Sequence, residues 1–133
     1  MDVRGHGPGE GVIIASKSIH AAIMKASQAY LVKLILIDTD HIGRINLNHL
    51  REEVKRYGKR VIVIIGSAPS YPTGVIDPIR GMALIAKENG CGMHVDCCLG
   101  AQSNCVASSF LTSLRDVIQL SLLIILICMI LGS

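Results

Sequence analysis

Short apolar runs alternate with periodic segments along residues 11–100 of this chain. In the periodic segments, apolar residues recur at the spacing that is typical of one face of an amphipathic helix. The apolar runs predict four buried β-strands, at residues 12–15, 33–37, 61–65 and 93–95. Strands that alternate with helices form βαβ units, so we predict an α/β fold with a mostly parallel sheet and helices on both faces.

Small polar residues indicate where the first two helices begin. Ser18 stands before apolar residues at helical spacing and is predicted to cap the first helix. Asn46 or Asn48 is predicted to cap the second helix, which would end near Arg56. Both asparagines have the right side chain for this role, and the sequence leaves the choice between them open.

Proline and glycine bound the third helix. Pro78 suits the first turn of a helix that would run to about Asn89. Gly90 follows and is expected to end the helix in the left-handed conformation. Asp77, immediately before Pro78, is interpreted as a helix cap.

The pattern changes after Gly100. Residues 101–112 are small and polar, and residues 117–131 are almost wholly aliphatic. This aliphatic run is shorter than the roughly 20 residues that a membrane-spanning helix needs. A buried helix, a marginal tail anchor and a non-native translation product remain alternatives. We therefore expect a disordered N-terminus at residues 1–10, a domain at residues 11–100 and a divergent tail with an apolar helix at residues 101–133.

Composition narrows the class of protein. Half of the 133 residues are hydrophobic but only 3% are aromatic, so the core of one modest domain must be aliphatic. The net charge of +3 is spread along the chain, which argues against nucleic-acid binding. Five cysteines without regular spacing argue against a secreted disulfide scaffold and favour a reducing compartment.

Three segments carry a resemblance to a known family: SKSIHAAIMKA at residues 16–26, GSAPSYPTGVIDPI at residues 66–79 and HVDCCLG at residues 94–100. In content, order and spacing they resemble the large domain of sphingosine-1-phosphate lyases. This family shares the fold type I of pyridoxal-phosphate enzymes with the glutamate and aromatic amino acid decarboxylases. The resemblance implies that residues 11–100 are part of such a large domain and that the cofactor is pyridoxal 5'-phosphate.

The resemblance also assigns cofactor-binding residues. Asp96 would face the pyridine nitrogen, where a carboxylate favours the protonated ring that stores electrons best. His20 would stack on one face of the ring, and Cys98 would pack against the other face. Ser67, Thr73 and His94 would lie in the neighbourhood beneath the cofactor and toward the substrate.

Each assignment has a plainer alternative. Asp96 is also interpretable as a strand-end residue that caps a turn, His20 as a surface histidine and Cys98 as a small buried residue. His94 shares a face with Asp96 only if Val95 points away, and a histidine bonded to neighbouring backbone is an equal alternative.

The segment CxxHxxCC invites a zinc interpretation, which we rank low because its residues straddle a predicted strand. It consists of Cys91, His94, Cys97 and Cys98. We predict no metal site.

The implied reaction is cleavage of the C2–C3 bond of a phosphorylated long-chain base to a fatty aldehyde and phosphoethanolamine. In the family, a Schiff-base lysine lies in a segment resembling SxDxHKxG, and no lysine of this sequence lies in such a segment. We therefore expect no catalytic residue here, weak cofactor binding and poor folding of the chain alone, as for a truncated or mis-spliced product.

Two rival functions remain. An amino acid decarboxylase of the same fold would use the same His20 and Asp96, although its motif usually reads HVDAA. The second rival function is that of a non-catalytic fragment, tethered to a membrane through residues 117–131. By resemblance, the full-length enzymes are homodimers at the endoplasmic reticulum membrane; otherwise a cytoplasmic location is expected.

Overall fold

Four strands and three helices alternate in the part of the chain that the computed structural model describes, residues 10–68 and 74–96. In chain order they are β1 Val12–Ser16, α1 Ala21–Ala29, β2 Lys33–Ile37, α2 Leu47–Tyr57, β3 Val61–Ser67, α3 Ile79–Asn89 and β4 Gly92–Asp96. A single 3-10 turn, Gly58–Arg60, joins α2 to β3. The alternation predicted from the hydrophobic pattern is confirmed.

The strands form one sheet in the order β2-β1-β3-β4, and every neighbouring pair is parallel. Because all four strands run in the same direction, their last residues lie at one edge of the sheet, which we call the carboxyl edge. These last residues are Ser16, Ile37, Ser67 and Asp96. The predicted α/β class with a parallel sheet is therefore confirmed.

Helices cover both faces of the sheet, as predicted. On one face, α2 and α3 bury a cluster that includes Ile14, Ile64, Leu50 and Met82. On the other, which we call the α1 face, Ile19 and residues of α1 pack on the strands. Both clusters are aliphatic, and fully burying one such side chain contributes about 1.5–3 kcal/mol.

The first helix begins later than predicted, and Ser18 does not cap it. The helix starts at Ala21, and the Nδ1 of His20 accepts a hydrogen bond from the Ala22 N–H at 3.1 Å. Ser18 instead closes a turn after β1: its N–H donates to the hydroxyl of Ser16 at 3.2 Å, and the two hydroxyl oxygens lie 2.9 Å apart. His20, and not Ser18, therefore occupies the N-cap position of α1.

Asn46 caps the second helix, which settles the choice between the two asparagines. Its Oδ1 accepts hydrogen bonds from the N–H groups of Asn48 and His49 at 3.0 and 3.1 Å. These are two of the N–H groups that a helix start leaves without an intrahelical acceptor. Asn48 lies inside the helix as a donor of one of these bonds.

The third helix ends as predicted but begins without a side-chain cap. Gly90 has φ 62° and follows Asn89 in the left-handed conformation. At the other end, Pro78 occupies the N-cap position and makes no side-chain capping bond. The prediction that Asp77 caps this helix is wrong, because its carboxylate binds elsewhere.

Several sequence-based expectations fall outside the described residues. They concern the disordered N-terminus, of which only Glu10 is described, and the divergent tail at residues 101–133 with its apolar helix. Within residues 10–68 and 74–96, no helix combines the length and apolar character needed to cross a membrane.

The cap of α2 gives a first testable prediction. Asn46→Ala removes the acceptor of two helix-start N–H groups, so we expect the free energy of unfolding to fall by about 1 kcal/mol. Asn48→Ala is the matched control, because Asn48 is exposed and contributes its backbone N–H to the cap. Urea unfolding of the full chain measures both, and equal losses in the two variants would contradict this role of Asn46.

Candidate functional site

Ser67 and Asp96 are neighbours at the carboxyl edge. They pair in the parallel ladder between β3 and β4, and the Ala68 N–H donates to the backbone oxygen of Asp96 at 2.9 Å. Val95 packs against the α2 and α3 cluster, so the strand alternation turns Asp96 and His94 to the α1 face. Ser67 is buried and Asp96 is half-buried, which brings a hydroxyl and a carboxyl group together on one face.

His20 lies at the same edge and on the same face. Its neighbour Ile19 is buried in one cluster with Ile65, which precedes Ser67 by two residues on the same side of β3. The ring itself is exposed and is oriented by the bond between its Nδ1 and the Ala22 N–H.

His94 is a buried histidine beside Asp96. It is only 3% exposed, and burial lowers the pKa of its ring below the ordinary value, an effect that the charge of Asp96 opposes. Within the described residues, its Nδ1 is the buried side-chain atom that lacks a hydrogen-bond partner. A backbone partner for this nitrogen, one alternative considered from the sequence, is therefore not observed there.

Asp77 was missed as a site residue and is a buried acceptor rather than a helix cap. Its carboxylate accepts hydrogen bonds from the N–H groups of Ile45 at 2.8 Å and Ser67 at 2.9 Å. Burial raises the pKa of Asp77, and the two N–H groups oppose this shift. Its partners lie 32 and 10 residues away along the chain, so no local sequence signal could have revealed them.

A charged cluster at the ends of β1 and β2 is distinct from these residues. Lys17 forms an ion pair with Asp38, and this hydrogen bond and charge hold the pKa of Asp38 below its usual value. The Asp38 N–H donates to the Nδ1 of His49 at 3.2 Å. The Lys17 ammonium is thus engaged toward β2, the strand at the opposite side of the sheet from β4.

Some predicted site residues lie outside the described part of the chain. They are Thr73, predicted to lie beneath the cofactor, Cys98, predicted to pack on the ring, and Cys97, which the zinc interpretation also needs. Among residues 10–68 and 74–96, no group of three or more histidine, cysteine, aspartate or glutamate side chains is placed to hold a metal ion. The structure thus brings together Asp96, Ser67 and His20 on one face and leaves Cys98 untested.

Comparison with known proteins identifies the family. The family model described as the pyridoxal-dependent decarboxylase conserved domain matches residues 7–114. The chain belongs to this family. The resemblance inferred from the three sequence segments is therefore confirmed, and family membership implies pyridoxal phosphate as the cofactor.

Curated relatives in this family include sphingosine-1-phosphate lyases. The chain is 38% identical over 88 residues to the enzyme from Arabidopsis thaliana and 34% identical over 89 residues to that from Dictyostelium discoideum. Each match covers 66% of this chain and 16% of the relative. The chain thus spans about a sixth of the length of these relatives.

Solved structures of the same fold superpose on the described domain. A sphingosine-1-phosphate lyase from Burkholderia pseudomallei matches with a TM-score of 0.65 and 30% identity, over 71% of this chain and 21% of that chain. The 4-hydroxyphenylacetaldehyde synthase from Rhodiola rosea matches with a TM-score of 0.67 over 84% of this chain and 26% of that chain, and its 23% identity supports the fold alone. The predicted fold type I is confirmed.

The described residues fit the ring end of pyridoxal phosphate. Asp96 offers a carboxyl group at the edge of the sheet, which is the chemistry that a protonated ring nitrogen requires. His20 offers an aromatic ring held in one orientation on the same face. The buried Nδ1 of His94 adds a polar atom without a partner among the described residues, as expected next to a ligand site.

Burial of His94 gives a prediction on pH. Because burial lowers its folded-state pKa, the folded protein binds fewer protons than the unfolded chain, whose histidine pKa is about 6.5. The stability from this group is complete above about pH 6.5 and is lost as the pH falls through the folded-state value.

Unfolding by urea, measured from pH 8 downward, checks this prediction. We expect His94→Gln to lose less stability on acidification than the unchanged protein. The control is His41→Gln, which removes an exposed histidine instead of a buried one. A His94→Gln variant with the same pH dependence as the unchanged protein would refute the neutral, buried state of His94.

Proposed function

We propose that residues 11–100 form the cofactor-facing part of a pyridoxal-phosphate-dependent carbon–carbon lyase of the sphingosine-1-phosphate lyase type. The observation that carries the proposal is the arrangement of Ser67 and Asp96 side by side at the carboxyl edge, on the face where His20 begins α1. Ligands of parallel α/β sheets bind outside this edge. The names and identities of the sequence relatives support the lyase type.

Asp96 would bind the ring nitrogen of the cofactor. A carboxylate next to this nitrogen favours its protonated form, both by charge and by accepting its hydrogen bond. Bound pyridoxal phosphate supplies an electron sink, and the protonated ring is the stronger sink. The rigid attachment of Asp96 to β3, through the ladder and the Ala68 N–H, would keep the carboxyl group in place.

His20 would stack its ring on one face of the cofactor ring. Stacking needs a side chain whose plane is fixed, and the bond from the Ala22 N–H fixes the His20 ring at one nitrogen. Ser67 would make a polar contact beneath the cofactor from the neighbouring strand. Cys98, two residues after β4, would pack against the opposite face of the ring.

The proposed substrate is a phosphorylated long-chain base, cleaved between C2 and C3 to a fatty aldehyde and phosphoethanolamine. We assign binding and orientation of the cofactor to the present residues, and we assign covalent attachment to no lysine of this sequence. An amino acid decarboxylase of the same fold would use His20 and Asp96 in the same way, so these two roles hold for either reaction. Dimerisation and membrane contact stay predictions.

The role of Asp96 can be tested by ligand binding. The ligand is pyridoxine 5'-phosphate, which lacks the aldehyde that reacts with surface lysines. We expect Asp96→Asn to raise the dissociation constant about tenfold or more, because hydrogen bonds to charged groups contribute about 1.5–3 kcal/mol. Ligand-observed NMR on the full chain suits the weak binding expected here.

Asp38→Asn is the matched control. It makes the same change of charge at the same edge, at the end of β2, which is separated from β4 by β1 and β3. This variant should bind the ligand as the unchanged protein does. The proposal fails if the unchanged chain binds no ligand, or if Asp96→Asn and Asp38→Asn bind equally well.

A further inference from the structure

The ends of the loop between β3 and α3 are tied together by one residue. Asp77 forms two hydrogen bonds with Ser67: the Ser67 N–H donates to the Asp77 carboxylate, and the Asp77 N–H donates to the Ser67 backbone oxygen, both at 2.9 Å. Ser67 is the last residue of β3, and Asp77 immediately precedes the N-cap of α3. The strand end and the helix start are therefore held in register.

The same carboxylate reaches a third segment. Its other oxygen accepts the N–H of Ile45, which lies in the loop between β2 and α2 and is bridged to Thr39 in an antiparallel pair. In the sheet, β1 separates β2 from β3, so these two strand ends share no ladder of hydrogen bonds. Asp77 is thus a direct link between the loop after β2 and the end of β3.

A carboxylate is the side chain that this position requires. Both N–H groups are buried, and a buried donor without an acceptor destabilises the fold. Aspartate provides two acceptor oxygens and no competing donor when it is ionised. A carboxamide of the same shape provides one acceptor oxygen and places an NH2 group against one of the two donors.

The link continues from Ser67 to the candidate cofactor site. Ser67 pairs with Asp96 in the ladder, and the next residue, Ala68, donates its N–H to the Asp96 backbone oxygen. A shift of the Ser67 backbone would therefore move both the Ser67 hydroxyl and the Asp96 carboxyl group. We propose that Asp77 is a positioning residue for the candidate cofactor site, whose carboxylate fixes the ends of β3 and β4 and with them Ser67 and Asp96.

The part of this proposal that concerns the cofactor rests on the proposed function, so the test has two independent readouts. The first is native-state hydrogen exchange of the full chain without ligand, at the amides of Ile45, Ser67 and Ala68. For Asp77→Asn we expect exchange at these three amides to accelerate by at least about tenfold relative to amides in the centre of β1. A role limited to global stability would accelerate all sheet amides alike.

Val54→Ala is the matched control for stability. Val54 is fully buried in α2, on the face opposite to His20, and takes part in none of the hydrogen bonds made by Asp77. Truncation of this side chain should accelerate exchange at all sheet amides to a similar extent, including the amides of Ile45, Ser67 and Ala68. If Asp77→Asn gives the same uniform pattern as Val54→Ala, Asp77 is a merely structural residue and the proposal is wrong.

The second readout is the dissociation constant for pyridoxine 5'-phosphate, measured where both variants are folded to the same extent. Asp77→Asn should bind about tenfold more weakly and Val54→Ala should bind unchanged. Loss of affinity in both variants, or in neither, would overturn the positioning role. If the unchanged chain binds no ligand, the proposed function fails. The exchange pattern still decides whether Asp77 fixes the ends of β3 and β4.

A variant with the charge retained covers the case in which Asp77→Asn does not fold. Asp77→Glu keeps two acceptor oxygens but displaces them by one methylene group. It should keep some protection at the Ile45 and Ser67 amides and shift the resonances of Asp96. If protection at the Ile45 and Ser67 amides is lost while the Asp96 resonances stay unchanged, the end of β4 does not depend on the end of β3. That result would contradict the proposal.

Discussion

Burial of backbone N–H groups at the carboxyl edge is the constraint on which the rest of this structure depends. A parallel sheet with helices on both faces brings strand ends, loops and helix starts together at one edge. The backbone there has left one ladder and has not yet entered a helix, so its donors need acceptors from side chains. In this chain His20 and Asn46 accept bonds from N–H groups in the first turns of α1 and α2. Asp77 accepts them from Ser67 at the end of β3 and from Ile45 in the loop after β2.

The same requirement explains why polar residues concentrate at this edge in an otherwise aliphatic domain. The described core clusters consist of isoleucine, leucine, valine, alanine and methionine side chains, which specify packing but offer no directional bonds. Direction comes from the few hydrogen-bonded side chains at the strand ends. A site for a planar, charged cofactor ring needs side chains in fixed orientations. At this edge, hydrogen bonds to the backbone orient the side chains of His20 and Asp77.

Sequence patterns predicted the elements well because those elements depend on local periodicity. The strand at residues 33–37 and the stop at Gly90 follow from neighbouring residues alone, and both agree with the structure. The prediction that Ser18 caps α1 is wrong because Ser18 bonds to the Ser16 hydroxyl in a turn after β1, and His20 occupies the N-cap position. The prediction for Asp77 is wrong for a different reason. Its carboxylate accepts a bond from Ile45, which lies near Asp77 only in the folded sheet.

The motif residues could be recognised, but their physical reasons could not be derived from the sequence alone. Gly66 and Ser67 illustrate this, because adjacent residues of a strand face opposite sides of the sheet. A Cβ on Gly66 would approach the Cδ1 of Ile79 to 2.9 Å and the Cε of Met82 to 3.0 Å, so the glycine lets α3 lie close to β3. Ser67 turns to the other face, toward the candidate site. One dipeptide therefore meets a packing requirement at Gly66 and places Ser67 at the proposed binding site. A substitution at Gly66 would reach the site through α3 and Asp77 without contacting any ligand.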